Sequence, residues 1–193
     1  SYLEASKVKG IDGYFFGDYA PAVKSFDELQ YFVNVTYIGG TYNGAFKGCS
    51  SLASIIIPES VTFIGGGSFT HCSSLASITI PEGVTSIPGM TFYYCSNLKS
   101  ITIPESITSI GDNAFYCCTN LKRVNISNLS VWYKISIGYN GNPLGHGANL
   151  YVNDELVTDI VIPSDITSVN PYLFHGCISI RSVAITEGVV SIG

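Results

Sequence analysis

Six cysteines are the residues of this chain best suited to chemistry, and five of them follow one rule. Cys49, Cys72, Cys95 and Cys118 recur at a constant interval of 23, and Cys177 holds the equivalent place further on. Disulfides, zinc sites and thiolate nucleophiles all use such residues. Side chains stacked in a column lie about 4.8 Å apart if successive segments pair as strands, which is near disulfide range. Thiols that all point into a core are poorly aimed at one another, however, and free cysteine packs well as a small apolar residue. We read the column as buried free thiols, with Cys117 off the column and nearer the surface. Zinc needs closely set ligand pairs, and only His71-Cys72 and His175-Gly176-Cys177 hint at one. A nucleophile needs a base beside it, and no motif places His71, His146 or His175 in that role. No catalytic residue, metal or cofactor is expected.

What positions the cysteines is a repeat. Leu52–Ser74, Leu75–Asn97 and Leu98–Asn120 read LASIIIPESVTFIGGGSFTHCSS, LASITIPEGVTSIPGMTFYYCSN and LKSITIPESITSIGDNAFYCCTN. Val157–Ser179 is a divergent copy, and another begins at Ile180 and stops within the period at Gly193. Self-similarity at so short a period predicts a solenoid whose coils bury their apolar edges against each other. The pairs Ile55/Ile57, Ile78/Ile80 and Ile101/Ile103 have strand spacing, with both side chains inward. Pro58, Pro81, Pro104 and Pro163 have no N–H for a ladder and end each strand. Val61/Ile64 and their copies line the opposite wall. Gly65 and Gly111 permit the turn that follows, and xxAFxxC predicts a single helical or 3₁₀ turn.

The array is expected to span 29–193, after an irregular segment at 1–28 that ends in the start of a short capping helix. Ser25-Phe26-Asp27-Glu28 fits a capping box, with Phe26 and Leu29 turned inward over the first coil. Residues 40–44 hold a small insertion. Residues 121–156 form a longer, irregular coil, because Leu121 and Val157 are 36 apart rather than 23. Its glycines make the excess a loop, and Asn153-Asp154 suits a two-residue hairpin turn. Trp132 should pack under that loop with its N–H bonded.

The motif LxSIxIPxxVTSIGxxAFxxC resembles the BspA-like leucine-rich repeats of bacterial and protozoan surface proteins. The resemblance covers residues 29–193, and Asn142–Pro163 resembles an interruption common in these proteins. It implies a curved, right-handed leucine-rich-repeat solenoid. A parallel β-sheet would form the concave face, with short turns and extended segments on the convex side. It also implies cell-surface or secreted adhesion by protein binding, without catalysis. The chain departs from ordinary leucine-rich repeats at the asparagine column, where Ser60, Gly83 and Ser106 stand. Backbone groups at that bend must find other partners.

Composition narrows the partners. Charged residues are 12% of the chain, about half the usual ~25%. The net charge of −5 comes without any Lys/Arg run, which argues against nucleic acid and anionic membrane. No apolar run approaches the ~20 residues of a membrane span. The chain has no initiating Met or signal-peptide pattern, and we expect a piece of a longer protein with any signal or anchor elsewhere. Two surface columns are binding candidates. On the concave face, neutral small residues give way to Lys99, Thr102, Lys122, Arg123 and Asn125, suited to an acidic patch on a protein ligand. On the turn side, His71, Tyr93, Tyr94, Tyr116 and His175 could stack on a glycan. A passive spacer is the third reading. Glu59, Glu82 and Glu105 form a column that lacks the Asp-rich loop of a calcium site. Asn34, Asn125 and Asn128 open glycosylation sequons. The open strand edge at 180–193 predicts weak end-to-end self-association.

Overall fold

The computed structural model describes residues 7–41 and 43–193. Residues 1–6 of the expected N-terminal segment, and Tyr42 of the small insertion, lie outside the described residues. The repeat folds as a parallel-strand solenoid. Ile78 and Ile101 point into the core while Thr79 and Thr102 face out. Ser77–Thr79 pairs in parallel with Ser100–Thr102, and that strand with Arg123–Ile126, each residue facing its own copy. At the proline corners, the carbonyls of Pro58, Pro81, Pro104 and Pro163 accept the N–H three residues on. The missing asparagine column is answered by serine: Ser60 Oγ donates to the Val35 carbonyl at 2.7 Å and Ser106 Oγ to the Val84 carbonyl at 2.6 Å.

A second wall is built from two-residue strands such as Ser86–Ile87, Ser109–Ile110 and Ser136–Ile137. Another of its sheets joins Gly10–Ile11, Tyr37–Ile38 and Phe63–Ile64. The segment expected to be irregular therefore carries a rung of its own. Ser25 does not cap a helix. It forms a parallel bridge to Ser54, and the 3₁₀ helix Asp27–Tyr31 starts from Phe26 with no side-chain cap. Leu29 is buried as expected, and Phe16 and Phe26, edge-on to each other, both pack at a tilt against Phe46 at the head of the core.

The third wall corrects the expected helical turn. Thr70 and Cys72 donate back to the Gly67 and Phe69 carbonyls, while Phe69 and His71 donate forward to Thr91 and Tyr93 of the next coil. Half of the N–H groups are thus taken by a neighbour, so tight turns replace a helix. Three successive segments each hold two left-handed residues: Gly67 and His71 (φ 62°), Met90 and Tyr94 (φ 59°), and Asn113 and Cys117 (φ 60°). Inside this wall Phe46, Phe69, Phe92 and Phe115 stack face to face, with centroids 5.3, 5.5 and 5.2 Å apart. Burying one such ring is worth roughly 1.5–3 kcal/mol.

The irregular coil changes the long sheet. Asn149–Val152 takes the place of the next repeat strand beside Arg123–Ile126, and the Asn153-Asp154 turn folds Glu155–Leu156 back antiparallel. Both turn residues have positive φ, as a tight hairpin turn of this kind requires. The sheet ends there. Asp159–Ile162 pairs instead with Ser182–Ile185 in a separate two-stranded sheet. Trp132 is buried on the helical turn Leu129–Trp132, but its N–H has no partner among the described residues.

Candidate functional site

The cysteine column is part of the core. Cys49, Cys72, Cys95 and Cys118 are free and buried, and each of the last three donates its thiol to a phenylalanine carbonyl of the preceding coil at 3.1 Å. The acceptors are Phe46, Phe69 and Phe92. Burial pushes the Cys49 thiol up to about 11 and the Cys118 thiol up to about 12, and raises Cys72 and Cys95 as well. Such thiols are poor nucleophiles. Cys177 departs from the expected burial: it is half-buried beside Ser179. Cys117 is half-buried too. At pH 8, a chromogenic disulfide reagent should modify Cys117 and Cys177 quickly and the other four only after denaturation. Two or more disulfides in non-reducing peptide maps would contradict this.

The open face of the long sheet carries Ser77, Thr79, Ser100, Thr102, Arg123, Asn125, Asn149 and Tyr151, set in register by the strand pairing. Lys99, Lys122 and Arg123 lie side by side, with the Lys122 and Arg123 N–H groups both donating to the Lys99 carbonyl, but Arg123 is not free. Arg123 donates to Asp154 Oδ1 at 2.6 Å and, through Nε, to Asn125 Oδ1 at 2.7 Å. Its guanidinium sits 3.7 Å from the centre of the Tyr151 ring. The charge is therefore matched and the side chain fixed. Lys99 and Lys122 stand exposed at the entry to their strands, and Lys122 Nζ donates to the His146 carbonyl at 3.4 Å. Tyr151 and Asp154 were missed from the repeat pattern because they belong to the insert. Strict alternation from buried Leu150 points Tyr151 outward, and that signal was available.

The turn wall brings four of the aromatic candidates together. Tyr93 and Tyr116 stack at 5.5 Å, Tyr93 meets Tyr94 at 4.7 Å, and His71 lies over Tyr94 at 5.0 Å. His175 is set apart from this ridge and contacts Tyr172 edge-on at 6.2 Å. A cleft of about 180 Å³ opens between Tyr116 and the Tyr172/His175 pair. Its two sides are tied by Asn142, which is buried, donates to the carbonyls of Tyr172 and Leu173, and accepts from the Leu144 N–H at 2.9 Å.

His146 joins the insert to the repeat. Its Nε2 accepts the Cys117 N–H at 3.1 Å, and burial, then the charge of Lys122, lowers its pKa below the usual histidine value. The unfolded chain then binds more protons than the folded one as pH falls through about 6.5. Stability should be full above that pH and decline below it, as protonation removes the acceptor. The groups around this ring are Lys122, Cys117, Tyr116, Tyr139, Tyr172 and His175. Urea midpoints measured from pH 7.5 to 5 should fall in the parent and fall less in His146→Leu. Identical slopes would count against it.

Among the described residues no group of three or more His, Cys, Asp or Glu side chains could hold a metal ion. No helix among them is long and apolar enough to cross a membrane. A solenoid with a short parallel strand, a proline corner and an aromatic turn in each period defines a leucine-rich repeat protein. The chain belongs to the BspA type leucine rich repeat family, whose model matches in six copies over residues 11–137 and 147–193. Repeats of this family and fold are typically non-enzymatic. Among solved structures, a leucine rich repeat protein of T. pallidum superimposes with a TM-score of 0.55 at 24% identity, over 96% of this chain and 67% of that one. A leucine rich cell surface protein of Faecalibacterium prausnitzii A2-165 gives a TM-score of 0.52 at 25% identity, over 96% of this chain and 61% of that one. The comparison with curated proteins gives no match.

Proposed function

We propose that this chain is a non-catalytic binding module of a cell-surface or secreted protein, and that it takes a protein partner on the open face of the long sheet. The observation that carries the reading is the fixed Arg123–Tyr151 pair, held by Asp154 and Asn125 at the centre of a row of small polar side chains. Arginine and tyrosine are the residue types that dominate interface energies, and a side chain already immobilised loses little entropy on binding. The strands on either side give a partner room for the ~800 Å² per side of a standard interface. Lys99 and Lys122 at the rim would steer an acidic partner and act chiefly on its association rate. A surface location is supported by the family and by the cell surface protein of similar fold.

The test is binding of the purified chain to immobilised matrix proteins and to host-cell surfaces. Arg123→Ala with Tyr151→Ala should weaken binding at least tenfold through faster dissociation. Lys99→Ser with Lys122→Ser should mainly slow association, and high salt should erase that difference. Unchanged binding in the Arg123/Tyr151 variant, with circular dichroism preserved, would sink the reading and favour a passive spacer.

A further inference from the structure

We infer that the cleft on the turn wall is a binding site for one ring of a neutral saccharide, with the His71–Tyr94–Tyr93–Tyr116 ridge as the track for the rest of the sugar chain. The site is independent of the long-sheet face. Its lining is Tyr116, Tyr139, Asn140, His146, Tyr172 and His175, over Gly138 and Gly145. No Asp, Glu, Lys or Arg side chain lines it; the nearest charges, Lys122 and Asp112, stand behind the walls and are already engaged with the His146 carbonyl and the Tyr139 N–H. A neutral sugar ring needs something else: an aromatic face for its C–H patch and uncharged hydrogen-bonding groups at the edges. Tyrosine supplies both, an apolar body with a polar tip.

The hydrogen bonds say which groups are free. His146 Nε2 accepts from the Cys117 N–H, which leaves the ring proton on Nδ1 as a neutral donor. The side chains of Asn140 and His175 make no hydrogen bond to any described residue, and Tyr139 is bound only through its backbone, to Asp112 and Asn113. Tyr139 and Tyr172 are 66% and 52% exposed, with their rings open to a ligand. The walls are held in place before any ligand arrives. Asn142 ties one coil to the next, and the Asp112 carboxylate holds the Tyr139 N–H at 2.8 Å. The floor is glycine, and a Cβ on Gly138 would meet Asp112 Oδ1 at 2.3 Å. At about 180 Å³ the cleft is smaller than the roughly 300–1,000 Å³ of ordinary small-molecule pockets, and so takes one ring rather than several. Tyr116 belongs both to the cleft and to the stacked ridge. A longer chain leaving the cleft on that side meets ring after ring.

The experiment is calorimetric titration of the full chain with hexaoses of glucose, mannose and N-acetylglucosamine, and with a sulfated hexaose as the charged comparator. At least one neutral hexaose should bind, and no better at low salt than at high salt. Tyr116→Ala and Tyr139→Ala should each weaken it at least tenfold with the melting temperature unchanged. Tyr116→Phe should retain most of the affinity, and Tyr151→Ala on the long sheet should leave it intact. Absence of binding by all three neutral hexaoses at millimolar concentration would overturn the proposal. So would affinity unchanged in both alanine variants, or preference for the sulfated sugar that salt removes.

Discussion

Phe92→Ala should lose about 3–5 kcal/mol of stability, the range for deleting a buried aromatic ring. Phe92 is fully buried in the middle of the stack, with Phe69 at 5.5 Å on one side and Phe115 at 5.2 Å on the other. Its removal leaves both neighbours without a partner, and the backbone cannot close the gap. The turn wall is pinned there by bonds from Phe92 to Ala114 and from Tyr94 to Tyr116. In a repeat array each coil touches only its neighbours, so a defect in the middle should also split unfolding into two steps. Urea denaturation followed by circular dichroism, with Trp132 fluorescence reporting the C-terminal half, reads both effects. A loss under about 1 kcal/mol, with the two probes still coincident, would mean that backbone ladders rather than the phenylalanine column hold the coils together.

A second large loss is expected from Gly65→Ala. The glycine at this corner was read from the sequence as a residue that permits a turn, but its φ is not in the left-handed region. What it permits is close approach. A Cβ there would stand 2.1 Å from the Gly40 carbonyl oxygen and 3.0 Å from the Gly39 carbonyl carbon. Both are backbone atoms of the adjacent coil and have no rotamer to escape into. Separating the coils would stretch the bond from the Gly65 N–H to the Ile38 carbonyl, now 2.8 Å. Overpacking of this kind costs about 1–3 kcal/mol, and more where the backbone must move. Gly40→Ala is the matched control: nothing lies within 4 Å of its Cβ and its φ is not positive. That variant should be neutral or gain a few tenths of a kcal/mol from a less flexible unfolded chain. Equal melting temperatures for the two variants would refute the close-approach account.

Within the repeats, most positions are legible from the letters alone. A residue in a solenoid is packed against its own copies one period away, so a column in the sequence is a contact in space. That is why the inward isoleucines, the proline corners and the phenylalanine and cysteine columns could be read directly; the Asn153-Asp154 hairpin was legible for another reason, its local turn chemistry. The pattern failed locally at Ser25, where a capping box fits the letters but strand pairing to Ser54 won. It failed again in the AFxxC turns, where bonds to the next coil displaced a helix.

Outside the period the same logic had no grip. Asn142 reaches the Tyr172 carbonyl across 30 residues and Arg123 reaches Asp154 across 31, separations that match no repeat. Only the folded insert decided that Arg123 is a neutralised, fixed side chain rather than part of a free basic patch. Only it decided that Tyr151 extends the long sheet, and that Tyr139 and Tyr172 face Tyr116 across a cleft while His175 leaves the aromatic ridge. The physical reason is that regular coils inherit their neighbours from the period. An insert instead chooses its neighbours by how its own loops close and which buried polar groups, such as the Asn142 amide, they must satisfy.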